Sequence, residues 1–299
     1  MTGIICVNKK KDITSFGVVS KLRGITGERK AGHTGTLDPM ATGVLPVMLG
    51  GATRFLNYIP DSDKRYTASF RLGMTTDTLD ITGTVLTTSE VHCDPADVER
   101  ALSKFHGEIE QVPPMYSAKS VDGVRLYELA REGKTVEREA CGIEIKKLDL
   151  LSYDCEKGEY VIDVLCSKGT YIRSLIDDIG RELGCGAVMT ALERTQAMGF
   201  TLDDCVTLDE LQDIKNTGGD FSPCVTEVEK IFSVYKKVNV SSAQAVRFFN
   251  GGELDINRIK TKTEQDEIYS VYDDKNMFLG LGKRTGGDLK VLRVLSKRD

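Results

Sequence analysis

The chain has 299 residues, 40% of them apolar, with 40 Lys and Arg against 45 Asp and Glu and a formal net charge of −5. That size accommodates one large domain plus a small one, and no apolar run reaches the roughly 18 residues of a membrane-spanning helix. The eight cysteines are scattered without a Cys-x-x-Cys pair, and only three histidines are available to join them. This argues against a zinc site and for reduced thiols rather than a disulfide framework.

Gly3 to Val7 reads as a short apolar strand with no basic leader before it, so a soluble cytoplasmic protein is expected. The polar turn Lys9-Lys10-Lys11-Asp12 follows, then a helix from Ser15 to about Arg23 that Gly24 ends. Gly32 to Pro46 reads Gly-His-Thr-Gly-Thr-Leu-Asp-Pro-Met-Ala-Thr-Gly-Val-Leu-Pro. Gly32 and Gly35 permit backbone angles closed to other residues, and Pro39 pushes Asp38 out of the helical region. The pattern by itself favours an ordinary turn over a loop that presents the Asp38 carboxylate at a cleft. Gly43 would let another segment come close.

Arg65 to Leu72 alternates, with Tyr66, Ala68, Phe70 and Leu72 on one face, which predicts a half-buried strand. Asp94-Pro95 supplies an N-cap and a first-turn proline for a helix bearing Val98, Leu102 and Phe105, and Gly107 ends it. Gln111 to Lys134 holds two prolines, a short helix at Leu126 to Arg131 and the basic residues Lys119, Arg125, Arg131 and Lys134. Tyr160 to Cys166 is a Val- and Ile-rich strand. The turn Ser167 to Thr170 then feeds a helix with Ile172, Leu175, Ile176, Ile179 and Leu183 on its apolar face, closed by Gly184. Tyr171 and Arg173 stand at that helix start, where a guanidinium can grip a carboxylate from another segment with two hydrogen bonds.

Thr207-Leu208-Asp209-Glu210 is a capping box. Residues 236–299 give a helix begun by Ser241 or Ser242 and stopped at Asn250-Gly251-Gly252, then strands near Glu267 to Tyr272, Met277 to Gly282 and Leu289 to Leu295. Charge is segregated along the chain. Residues 1–72 carry eleven basic against five acidic side chains and residues 283–299 six against two, whereas residues 200–229 carry one against eight. Phosphate binding depends on the local patch rather than the total, so two basic segments can flank a groove; solvated faces would give the same pattern.

The Gly32 to Pro46 run resembles the signature loop of the pseudouridine synthase family that includes the bacterial tRNA pseudouridine-55 synthases, the TruB family. Lys64-Arg65-Tyr66, Leu72-Gly73, Thr76-Asp77-Thr78, Gln111 to Ala118 and Ser167 to Arg173 resemble the same family in the same order. The Lys9 to Asp12 turn departs from it, since many relatives have Lys-Pro-x-Gly there. The resemblance implies an α+β fold, a pseudouridine synthase fold with a central mixed, largely antiparallel sheet. It implies a catalytic domain over residues 1–235 with an RNA-clasping insertion near 111–134, and a small β-rich PUA-like RNA-binding domain over 236–299.

The implied activity is isomerisation of uridine 55 in the tRNA T arm to pseudouridine, without cofactor or metal. Asp38 would be catalytic. His33 would stand near the vacated base, Tyr66 and Tyr171 would orient the uracil, Arg173 would pair with Asp38, and Leu192 would wall the pocket. Lys64, Arg65, Lys119, Arg125 and Lys168 would contact RNA. The expected partner is the tRNA T stem-loop, with no membrane, no obligate protein partner and a monomeric state. Two alternatives remain at this point: a non-catalytic tRNA-binding or RNA-folding protein, and a guide-RNA-directed rRNA pseudouridine synthase.

Overall fold

The computed structural model describes residues 1–295 except Asp61, Ala118 and Asp122. Ala118 of the Gln111 to Ala118 motif, and Lys297 and Arg298 of the basic C-terminal segment, therefore lie outside the described residues. The first part of the chain forms β1 (Gly3–Lys9), α1 (Ser15–Thr26), β2 (Ala31–His33), β3 (Thr42–Leu49), β4 (Lys64–Leu72), β5 (Met74–Thr76) and β6 (Val85–Thr88). Next come α2 (Pro95–Ser103), β7 (Gly107–Gln111), β8 (Ser120–Val121), β9 (Val124–Arg125), α3 (Leu126–Arg131), β10 (Cys141–Asp154) and β11 (Glu159–Cys166). Then α4 (Ile172–Glu182), β12 (Ala187–Ala197), β13 (Phe200–Thr201) and α5 (Leu208–Asn216) complete the larger part.

Among the described residues the central sheet has nine strands, ordered β1-β3-β12-β4-β11-β10-β7, with β2 on β3 and β13 on β12. The β3–β12 pair is parallel and its neighbours are antiparallel, giving the mixed, largely antiparallel sheet implied by the resemblance. The parallel contact pairs Gly43 with Arg194. Gly43 sits at φ 99°, and a Cβ there would lie 2.2 Å from the Arg194 carbonyl oxygen, so only glycine admits this approach.

The alternation read in β4 is realised: Tyr66, Ala68, Phe70 and Leu72 are buried while the intervening residues are partly exposed. They join α1 and α4 in the main core through Val18, Leu22, Leu175 and Ile179. Three local expectations need correction. Helix α1 runs through Gly24 to Thr26, because Gly27, at φ 72°, is the left-handed residue that ends it and donates to Arg23 O. Helix α2 stops at Ser103, before Phe105. The Gly32 to Pro46 run is not a loop throughout, since His33 ends β2 and Thr42 begins β3.

Residues beyond 235 form β14 (Lys236–Asn239), α6 (Ser242–Phe249), β15 (Leu254–Asp255), β16 (Ile268–Tyr272), β17 (Phe278–Thr285) and β18 (Asp288–Val294). Ser241 is the N-cap of α6, in a capping box with Gln244. Among the described residues the strands make a separate five-stranded sheet, β14-β16-β17-β18-β15. Tyr272, Phe278 and Leu281 of this sheet share an apolar cluster with Ile4, Met48, Phe55 and Phe232, so the two sheets are joined by packed side chains. The Phe232 and Phe278 rings stack with centroids 6.2 Å apart. Among the described residues no helix is long and apolar enough to cross a membrane.

Candidate active site

Asp38 lies in the turn between β2 and β3, and the turn is held from below by two buried cations. Lys9, at the end of β1, donates from Nζ to Pro39 O at 3.0 Å, Ala41 O at 2.6 Å and Lys10 O at 3.0 Å. Arg194, on β12, donates from Nε to Val44 O at 2.8 Å, from Nη2 to Gly35 O at 3.2 Å and from Nη1 to Thr36 O at 3.5 Å. Ser15 completes the support: its hydroxyl donates to Leu37 O at 3.0 Å and accepts from Leu37 N at 2.8 Å. Buried carbonyls need donors, and here those flanking Asp38 receive them from β1, α1 and β12. Burial pushes the Lys9 ammonium down to about 8, with the Asp38 and Asp12 carboxylates opposing that shift.

Arg173 enters from the first turn of α4. Its Nε lies 3.0 Å from Asp38 Oδ2, and its Nη2 donates to Asp38 Oδ1 at 3.3 Å. Nη1 donates to Thr78 O at 2.9 Å, Nη2 also donates to Tyr116 O at 2.7 Å, and Asp80 Oδ2 lies 3.8 Å from Nη1. The Arg173 side chain is 6% exposed and that of Asp38 32%, so the arginine is enclosed while the carboxylate still faces the cleft. Loss of bulk water raises the Asp38 pKa above the ordinary carboxylate value, and the Arg173 cation opposes the rise.

Asp38, Tyr66, Tyr171, Arg173 and Leu192 line one cleft of about 250 Å³, with Lys64 and Lys119 at its wall. Tyr66 is 6% exposed, and burial raises its phenol pKa, keeping the hydroxyl protonated. Gln111 fixes the backbone of Tyr171 from both sides, its Nε2 donating to Tyr171 O at 3.1 Å and its Oε1 accepting from Tyr171 N at 2.8 Å. Burial, Arg194 and Lys168 all lower the Lys64 pKa. Lys119 donates to Cys141 Sγ at 2.9 Å.

The remaining residues singled out from sequence stand elsewhere. His33 does not line the cleft; burial and Arg194 lower its pKa, favouring the neutral ring. Arg65 lies on the opposite face of β4 from Tyr66, where Nε and Nη2 grip Asp163 at 2.8 and 2.6 Å. Arg125 and Lys168 are exposed and outside the cleft lining. Sequence reasoning missed Lys9, Arg194 and Asp80. Lys9 was hidden in a run of charges that reads as a solvated turn. Arg194 sits two residues beyond Leu192 with no local signal to set it apart. Asp80 follows Thr76-Asp77-Thr78 closely enough that the Asp- and Thr-rich run was the available signal.

Residues 23–172 match the profile described as the TruB family pseudouridylate synthase N-terminal domain. Residues 173–232 match the tRNA pseudouridylate synthase B C-terminal domain, and residues 237–295 match the Pseudouridine synthase II TruB C-terminal domain. The chain is 43% identical to the tRNA pseudouridine synthase B of Clostridium novyi (strain NT), covering 99% of this chain and 100% of that one. It is 41% identical to the protein of the same name from Chromobacterium violaceum, covering 99% of this chain and 95% of the relative. A solved structure described as a Cbf5-Nop10-Gar1 complex superposes with a TM-score of 0.77 at 27% identity, covering 99% of this chain and 86% of the other. With full-length relatives above 40% identity and the three profiles lying end to end along the same fold, the chain belongs to the TruB family of pseudouridylate synthases.

Proposed function

We propose that the protein isomerises a uridine in the T arm of tRNA to pseudouridine, with Asp38 as the group that acts on the ribose. The observation that carries this reading is the Asp38 carboxylate, gripped by two nitrogens of Arg173 at the floor of a cleft walled by Tyr66, Tyr171 and Leu192. In the reaction the N1–C1′ bond breaks, the uracil turns while held, and C5 bonds to C1′ as its proton is released and N1 gains one. Atoms and electrons balance within the nucleotide, so the chemistry calls for no external group donor.

The base must leave its stack to reach the carboxylate, at a cost of a few kcal/mol that pocket contacts and phosphate binding offset. Tyr66 and Tyr171 present aromatic rings for the extruded uracil and Leu192 an apolar wall. Lys64 and Lys119 supply positive charge where the nucleotide's phosphates would enter. In this reading residues 1–235 carry the chemistry, residues 236–299 add RNA contacts, and the protein acts as a cytoplasmic monomer. The relatives named tRNA pseudouridine synthase B, similar along the whole chain, support tRNA as the substrate.

The test is incubation of the purified protein with an unmodified tRNA and with one whose T-arm uridine is replaced by cytidine, followed by pseudouridine mapping at nucleotide resolution. The expected outcome is one modified position in the first RNA and none in the second. Modification outside the T arm, or none in either RNA, would reject the assignment.

A further inference from the structure

Cys6 on β1 and Cys205, just before α5, bring their sulfurs to 3.2 Å although they are 199 residues apart in sequence. The two backbones are already tied at this point. Asn8 N donates to Val206 O at 2.9 Å, Val206 N donates to Cys6 O at 2.9 Å, and Val7 and Val206 form a parallel bridge. Neighbouring strands run about 4.8 Å apart, inside the roughly 4.4–6.8 Å between Cα atoms that a disulfide requires. Closing the sulfurs from 3.2 Å to about 2.04 Å takes about 1 Å of movement, between backbones that the hydrogen bonds already hold side by side. Cys6 is 4% exposed and Cys205 partly exposed, so a reagent reaches Cys205 first.

We propose that Cys6 and Cys205 form an oxidation site, a dithiol that a two-electron oxidant such as a peroxide or an azodicarboxamide converts to a disulfide stapling β1 to the segment ahead of α5. With peroxide, the Cys205 sulfur attacks the O–O bond, becoming a sulfenic acid as the first water leaves. The Cys6 sulfur then displaces that hydroxyl, and a second water carries away the remaining proton and oxygen. Two thiols and one hydrogen peroxide give one disulfide and two waters. In the reduced protein the hydrogen bond with Cys205, and burial, push the Cys6 thiol pKa up. Lys9, the anchor of the Asp38 turn, is three residues further along β1, so the staple fixes the strand that carries it.

The experiment treats the reduced full-length protein with a small excess of an azodicarboxamide, quenches, and measures intact mass, non-reduced peptides and thermal unfolding. The expected result is a loss of about 2 Da and a Cys6–Cys205 peptide pair. The melting temperature should rise by about 5 °C, reversibly with a dithiol reductant. Cys205→Ser and, separately, Cys6→Ser should lose both the linkage and the shift, and because Cys205 is partly exposed its variant provides a control even if Cys6→Ser folds poorly. A stable adduct on Cys205 without a cross-link, or a linkage between any other two cysteines instead, overturns the proposal. So does a Cys6–Cys205 disulfide that leaves the melting temperature unchanged.

Discussion

Arg173 meets Asp38 through two nitrogens, Nε at 3.0 Å from Oδ2 and Nη2 at 3.3 Å from Oδ1, while Thr78 O and Tyr116 O hold the same guanidinium in place. The arginine is thus fixed by three segments remote in sequence, and its plane sets the orientation of the carboxylate. Such a fork keeps an ionised carboxylate oriented in a cleft that otherwise disfavours its charge.

Asp38→Asn keeps the volume and one acceptor for Arg173 but removes the negative charge and the capacity to attack or accept a proton. Pseudouridine formation should become undetectable in a folded protein, with tRNA affinity preserved within about tenfold, or about 1.4 kcal/mol. Single-turnover assays and a filter-binding titration check both halves. Measurable turnover, with host enzyme excluded, would remove Asp38 from the mechanism.

Arg173→Lys retains charge but cannot reproduce the grip on Asp38 while also reaching Thr78 O and Tyr116 O. The rate of the chemical step should fall at least about 100-fold, or about 2.7 kcal/mol, at saturating tRNA. A near-normal rate would show that a point charge suffices.

Lys9 spends its three ammonium donors on Lys10 O, Pro39 O and Ala41 O, and burial brings its pKa to about 8. Deprotonation removes one donor and loosens the turn, so the single-turnover rate should decline as pH rises through about 8. Lys9→Met should be slower throughout and lack that decline. The folded chain releases this proton below the ordinary 10.5, so the group's contribution to stability rises between pH 8 and 10.5 even as the rate falls. A pH–rate profile beside a pH–stability profile separates the two effects.

Asp163 is held by Arg65 and Lys147, and the Arg65 hydrogen bonds are the main cause of its lowered pKa. The depressed value means that its stabilisation is present above the ordinary 3.8 and is lost as pH falls through the lower folded value. Asp163→Asn should destabilise by about 1 kcal/mol at neutral pH, a figure kept small because both cations are partly exposed. Urea titrations of wild type and variant should converge as pH falls below the ordinary 3.8, and a constant gap would point to packing instead of charge.

How far the sequence could be read varied with the distance over which each feature is decided. The strand β4 was legible because its period-2 alternation is local, and the same alternation places Arg65 opposite Tyr66, where the structure finds it on Asp163. The end of α1 was misassigned because Gly24 and Gly27 are chemically alike, and only the chain's exit direction selects which one adopts the left-handed conformation. The start of β3 is not legible locally, because the glycines and prolines in Gly32 to Pro46 mark turns as readily as close strand approaches.

The family, the Asp38 turn and the candidate residues for the chemistry are legible along the chain, because they lie in contiguous motifs. Tertiary structure alone decided which charges serve the site. Lys9 stands in a run of four charged residues with nothing local to distinguish it, and it is buried because carbonyls 30 and 32 residues away require its donors. Arg194 reaches Val44 across 150 residues, and Asp80 approaches Arg173 to 3.8 Å from the loop between β5 and β6. A charge is sorted into structure or solvent by where unpaired carbonyls and carboxylates end up once the sheet closes, and that follows from strand order rather than neighbouring residues.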